Sequence, residues 1–153
     1  MMKKNFLKPD ILILFVIFLI LFFYYDINVT MFDPPQSVHV WRQTNCLSLT
    51  QQYYQYDLPL LQPEMHNQFG NGGTSGKAVG EFPIVYYVVA QLWKVFGKHE
   101  WIYQLLHLII MFVGTIALFS SLKNFLKSRF NAGFICLLVL SSPMLIFYGP
   151  KFL

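Results

Sequence analysis

Trp101-Ile102-Tyr103-Gln104-Leu105-Leu106-His107-Leu108-Ile109-Ile110-Met111-Phe112-Val113-Gly114-Thr115-Ile116-Ala117-Leu118-Phe119-Ser120-Ser121-Leu122 decides how this chain reads. No charge interrupts it, and a helix rising about 1.5 Å per residue would cross a hydrocarbon core about 30 Å thick over this length. The surrounding composition agrees. Of 153 residues, 56% are hydrophobic and 12% charged, where soluble domains carry about 25% charged residues. Mean hydropathy is +0.48. The expected fold class is therefore an all-α integral membrane protein. A formal charge of +4, with lysines spread along the chain, excludes a basic nucleic-acid-binding surface.

Working outward from this span, Lys123, Lys127 and Arg129 follow it in a short loop, 123–129, and Phe130 to Tyr148 is a second apolar run within the segment 130–153. At the other end, Ile11 to Tyr25 is uncharged behind Lys3, Lys4 and Lys8, and Ile27, Val29, Met31 and Phe32 extend it past Asp26. A signal peptide is the rival reading of residues 1–32. No small-residue cleavage site follows the apolar run, which favours an uncleaved anchor. The bias of basic residues towards the cytoplasm puts the N-terminus inside. The segment 82–96 is apolar but short, and Gln91 and Lys94 interrupt it. If it crossed, the cluster Lys123, Lys127 and Arg129 would face outward. If it lies at the surface, that cluster joins Lys3, Lys4 and Lys8 inside. The expectation is thus three transmembrane helices and a long first outer loop, 33–100, in a cell-envelope membrane, the bacterial inner (cytoplasmic) membrane.

That loop carries the polar chemistry. Asp33-Pro34-Pro35 breaks any helix. Thr44, Ser48, Gln51 and Gln55 then recur opposite Cys46, Leu49, Tyr53 and Tyr56, which predicts an amphipathic surface helix near 43–56. Gly70-Asn71-Gly72-Gly73 and Gly76 mark a flexible tip. A second surface helix is expected near 83–96, entered through Pro83. Gln104 and His107 sit at i, i+3 near the outer end of the long span, where polar groups face protein or a cavity. Cys46 and Cys136 form no paired or zinc-like spacing, and His39 and His66 match no metal-ligand pattern, so no metal is expected. Asn28-Val29-Thr30 fits a glycosylation acceptor but abuts the membrane.

Two short stretches concentrate candidate function: His39-Val40-Trp41-Arg42-Gln43-Thr44-Asn45, and Gly80-Glu81-Phe82-Pro83. The Arg42 guanidinium presents a planar donor fork suited to phosphate. Lys77 is a second cation, and Trp41, Tyr53, Tyr54 and Tyr56 could stack on sugar rings or sit at headgroup level. Glu81 is the most constrained acid. Its plainer role is to sit at a helix entrance, where an anion is favoured. If a phosphate binds here, Arg42 and Glu81 should lie close together with Trp41 nearby.

The ordered series of N-terminal anchor, H-x-W-R-Q at His39–Gln43, a surface helix, G-E-F-P-x-x-Y-Y at Gly80–Tyr87, F-G-x-x-E-W at Phe96–Trp101 and a span resembles the start of a GT-C glycosyltransferase. Protein O-mannosyltransferases and the lipid A aminoarabinose transferase belong to this group. The resemblance runs over about residues 7–153. It implies transfer of a sugar from a polyprenyl-phosphate carrier to an extracytoplasmic acceptor. The lipid-linked sugar would be the donor substrate with no separate cofactor, Glu81 would be catalytic, and His39, Trp41, Arg42 and Lys77 would bind substrate. Many members open this loop with an Asp-Glu pair where Trp41-Arg42 stands here. They also carry Glu-Lys-Pro where this chain has Glu81-Phe82-Pro83.

Such enzymes are several-fold longer, so the resemblance implies an N-terminal portion that is inactive alone. Its partners would be membrane lipid and either further helices or a second copy. The alternative is a small non-catalytic membrane protein that binds a lipid carrier or partner protein through the loop; a third reading is a surface anchor with no ligand.

Overall fold

The computed structural model describes residues 7–36, 39–67, 69–77 and 81–149. Lys3, Lys4, Gly80 and the terminal Lys151-Phe152-Leu153 lie outside the described residues, as does the side chain of Lys8. The described chain is all-helical: α1 (Leu7–Tyr24), α2 (Ile27–Thr30), α3 (Val40–Tyr56), α4 (Gly70–Gly73), α5 (Ile84–Phe96), α6 (Trp101–Leu126), α7 (Arg129–Leu140) and α8 (Pro143–Tyr148). Only isolated bridges, Glu64 with Lys77 and Phe69 with Ser75, supplement them. Among the described residues one helix, α6, is long and apolar enough to cross a membrane, with a mean hydropathy of 2.2 over 18 residues. The apolar stretch Pro9–Tyr24 and α7 are shorter.

The chain divides within α6 into two compact units. One holds the described residues up to Phe32 and from His107 onward, and the other those from Asp33 to Leu106.

In the first unit, Leu14 of α1, Phe119 of α6 and Ala132 and Cys136 of α7 form the buried centre. The Phe112 ring meets Phe15 edge-on at 5.6 Å and Phe18 at 5.2 Å, within the range in which aromatic pairs attract. Asp10 is buried and pairs with Lys123 and, at 4.0 Å, with Arg129. A buried carboxylate without such partners would be costly.

Three expected boundaries shift. α6 continues past Leu122 to Leu126, so Lys123 is helical and the loop before α7 shrinks to Lys127 and Ser128. The Ser128 side chain accepts from the Asn131 N–H, capping α7. The run expected to be continuous from Phe130 to Tyr148 breaks at Ser141-Ser142, because Pro143 cannot donate to the preceding turn and starts the separate α8 instead. The N-terminal run also breaks, at Asp26, which is left-handed with φ 53°.

The second unit is built on α3 against α5. Tyr86, Val89, Ala90 and Trp93 of α5 follow i, i+3, i+4, i+7, and bury that face against Cys46, Leu49 and Tyr53 of α3, with Ile102 and Tyr103 from the start of α6. Gly97 adopts φ 88° after α5, a conformation costly for a residue with a Cβ. This turn lets the Trp93 indole N–H donate to the His99 carbonyl at 2.8 Å. The Gly-rich tip is a single helical turn, α4, flanked by the two bridges.

α3 buries polar positions alongside most of its expected apolar face. Its buried positions include Gln43, Ser48, Thr50 and Gln52 as well as Cys46, Leu49 and Tyr53. Partners meet several of these polar groups. Ser48 meets His66 Nδ1 at 2.5 Å, the Thr50 hydroxyl donates to the Cys46 carbonyl, and the Gln43 amide donates to the Gln36 carbonyl. The segment after α3 folds back over it, and the Tyr53 hydroxyl donates to the Leu60 carbonyl at 2.7 Å.

Candidate functional site

The entrances of α3 and α5 meet at one ion pair. Arg42 lies in the first turn of α3, and Glu81 two residues before Pro83, the residue that precedes α5. The Arg42 guanidinium donates to Glu81 Oε1, with the two side chains 52% and 53% exposed. The Tyr86 hydroxyl donates to Glu81 Oε2 at 3.2 Å, and the Cys46 thiol approaches the same hydroxyl at 3.5 Å. Arg42 and Cys46 stand four residues apart on α3, so one helical face carries both ends of the chain Arg42–Glu81–Tyr86–Cys46. It runs from half-exposed charge to buried, near-neutral groups within a few ångströms.

The electrostatics follow this gradient. The hydrogen bond to Glu81, then its charge, raises the Arg42 pKa. Burial pushes the Cys46 thiol up, and burial followed by the Cys46 contact pushes the Tyr86 phenol up. Both inner groups are therefore neutral hydrogen-bonding groups at neutral pH. Cys46 and Cys136 are free and buried, so neither presents an accessible thiolate.

Trp41, beside Arg42, is 78% exposed. His39 is exposed at the entrance of α3, and its carbonyl accepts from the Gln43 N–H. The other donors of Arg42 have no partner among the described residues. Lys77 is exposed on a different arm of the loop, paired through its backbone with Glu64. No hydrogen bond or ion pair joins it to Arg42 or Glu81 among the described residues. The structure therefore brings Arg42 and Glu81 together, places Trp41 and His39 at the same helix entrance, and leaves Lys77 apart.

Tyr86 and Cys46 belong to the arrangement and were not singled out as site residues. The available signal was the Tyr86-Tyr87 pair that closes G-E-F-P-x-x-Y-Y. Gln43 Oε1 and Gln104 Nε2 are buried without hydrogen-bond partners among the described residues, and both side chains are 1% exposed. No group of three or more His, Cys, Asp or Glu residues able to hold a metal occurs among the described residues. No family model matches the chain, and no curated protein and no solved structure matches it either.

Proposed function

We propose that this chain is a membrane-embedded module of a GT-C-like glycosyltransferase, in which the entrance of α3 receives the phosphate of a polyprenyl-linked sugar. The observation that carries the reading is the half-exposed Arg42–Glu81 pair, with the exposed Trp41 indole beside it on the same helical turn. Arg42 offers a planar fork for a phosphate. Glu81 accepts on one oxygen from Arg42 and on the other from Tyr86, which fixes the cation's position. The exposed Trp41 and His39 stand at the same helix entrance, where the sugar or the carrier would pass.

In this reading α1, α6 and the segment from α7 to α8 cross the bacterial inner membrane. Lys123, Lys127 and Arg129 face the cytoplasm, and the unit from Asp33 to Leu106 faces outward. The positive-inside bias supports that orientation.

One observation favours a second reading, a carrier-binding protein without turnover. Both Glu81 oxygens are engaged, which suits an anchoring carboxylate better than one that takes a proton from an acceptor. One experiment separates the two. Purified chain is titrated with polyprenyl phosphate and assayed with polyprenyl-phosphate sugars and acceptors. Both readings expect binding weakened about tenfold to a hundredfold by Arg42→Ala, the worth of a charge-assisted contact. Transfer lost on Glu81→Gln selects the enzyme, and binding without transfer selects the carrier protein. Affinity unchanged by Arg42→Ala removes the site from both.

A further inference from the structure

A second site lies in the first unit, separate from the Arg42–Glu81 pair. Ile13 and Ile17 of α1, Phe119 of α6 and Phe134 and Leu137 of α7 line a groove of about 420 Å³. That volume falls among ligand-sized cavities, roughly 300–1,000 Å³. Its walls are apolar, and Asp10 and Arg129 are its charged lining residues. Asp10 is 7% exposed and bonded to Lys123, so its charge is answered within the fold. Arg129 stands 4.0 Å from it and keeps half its side chain exposed. Lys127 is exposed two residues earlier. Two cations thus face one carboxylate at the charged end of an apolar groove, and Lys127 adds a third positive charge next to them in sequence.

We infer that this groove holds a bilayer lipid with an anionic phosphate headgroup: one acyl chain lies along the apolar walls, and the phosphate rests against Arg129 and Lys127. The charge balance selects this occupant. A zwitterionic lipid fills the walls equally well but brings no net charge to the basic end, and a protein helix brings none unless it carries an acid there. Basic residues flanking membrane helices attract anionic lipids by the same complementarity, and a guanidinium matches phosphate oxygens in a way an ammonium does not. Gly133 leaves the groove open. A Cβ there would sit 3.9 Å from the Phe119 ring, in ordinary contact, whereas a longer side chain would extend into the space a lipid needs. The inference rests on the membrane location of these helices. Failure of that location would appear as loss of labelling asymmetry across sealed vesicles, whatever the lipid preference.

The test uses the full chain, delipidated in neutral detergent and titrated with phosphatidylglycerol, phosphatidylcholine or inorganic phosphate, with retained ligand read by native mass spectrometry. Phosphatidylglycerol should bind about tenfold tighter than phosphatidylcholine, as one charge-assisted contact provides. Arg129→Gln should erase that preference by weakening phosphatidylglycerol more than phosphatidylcholine. Gly133→Leu, with helical content verified by circular dichroism, should weaken both lipids. Inorganic phosphate should neither bind nor compete. Equal binding of the two lipids to the native chain would overturn the proposal, as would a preference that survives Arg129→Gln. Displacement by free phosphate, or a lipid-free dimer that Gly133→Leu abolishes, would overturn it in favour of a simple anion site or a second copy of this chain.

Discussion

Removing the Glu81 carboxylate tests which of its two hydrogen bonds holds the second unit together. On the Arg42 side, both side chains are about half exposed. Water and salt screen such a pair, and exposed pairs contribute roughly 0.2–1 kcal/mol. On the other side, the Tyr86 hydroxyl is on a residue 6% exposed, and a buried donor that loses its acceptor costs about 1–3 kcal/mol. The inner bond should therefore dominate although the outer one carries the formal charges. Glu81→Ala should destabilise the chain by about 1–3 kcal/mol, and Arg42→Ala by about 1 kcal/mol or less. Adding Tyr86→Phe to Glu81→Ala should recover much of the loss, because removing both partners of a buried hydrogen bond can be nearly neutral. Denaturant titration of purified protein in a neutral detergent, followed by circular dichroism and arranged as a double-mutant cycle, gives each term. An Arg42→Ala loss equal to that of Glu81→Ala, with no recovery from Tyr86→Phe, would refute the reasoning and show that the ion pair is the structural bond.

Other outcomes follow from the same geometry. Trp93→Ala, at a position 1% exposed between α3 and α5, should cost about 3–5 kcal/mol, read as an earlier loss of helical signal in the same titration. Burial raises the Cys46 pKa above 9.0 in the folded chain, so folding favours the protonated thiol. That stability is fully present below pH 9 and is lost as pH rises beyond it; Cys46→Ala should flatten the alkaline limb of a stability–pH profile between about pH 9 and 10, before tyrosines titrate. Single cysteines at Asn124 and Thr74, in a chain lacking Cys46 and Cys136, should label from opposite sides of sealed vesicles; labelling from one side would remove the three-span arrangement.

The helices were legible where one periodic signal governs a stretch. α5 is expected over 83–96 and occurs at Ile84–Phe96 because Pro83 fits the entry and Tyr86, Val89, Ala90 and Trp93 repeat on one face. Apolar length alone was less informative. Phe130 to Tyr148 is apolar throughout most of its course, yet Pro143 divides it, and Asp26 divides the N-terminal run through a local left-handed turn. Hydropathy averages over such breaks, whereas backbone hydrogen bonding is decided residue by residue.

The site was legible in part for a different reason. Arg42 and Glu81 stand out in sequence as scarce charges beside aromatic and proline residues, and the α3–α5 packing is what brings residues 39 apart in sequence into contact. Cys46 and Tyr86 carry no charge and sit on faces that read as ordinary core, so nothing local separates them from Leu49 or Val89. Their importance comes only from register. Four residues after Arg42 and five after Glu81, they arrive behind the ion pair when the two helices pack. Likewise Ser48 looked solvent-facing by helical period, but the segment after Tyr56 folds back and His66 meets Ser48. A helix's polar face tells which side can make hydrogen bonds, not whether water or another segment of the chain will make them, and at Ser48 of α3 the partner is His66.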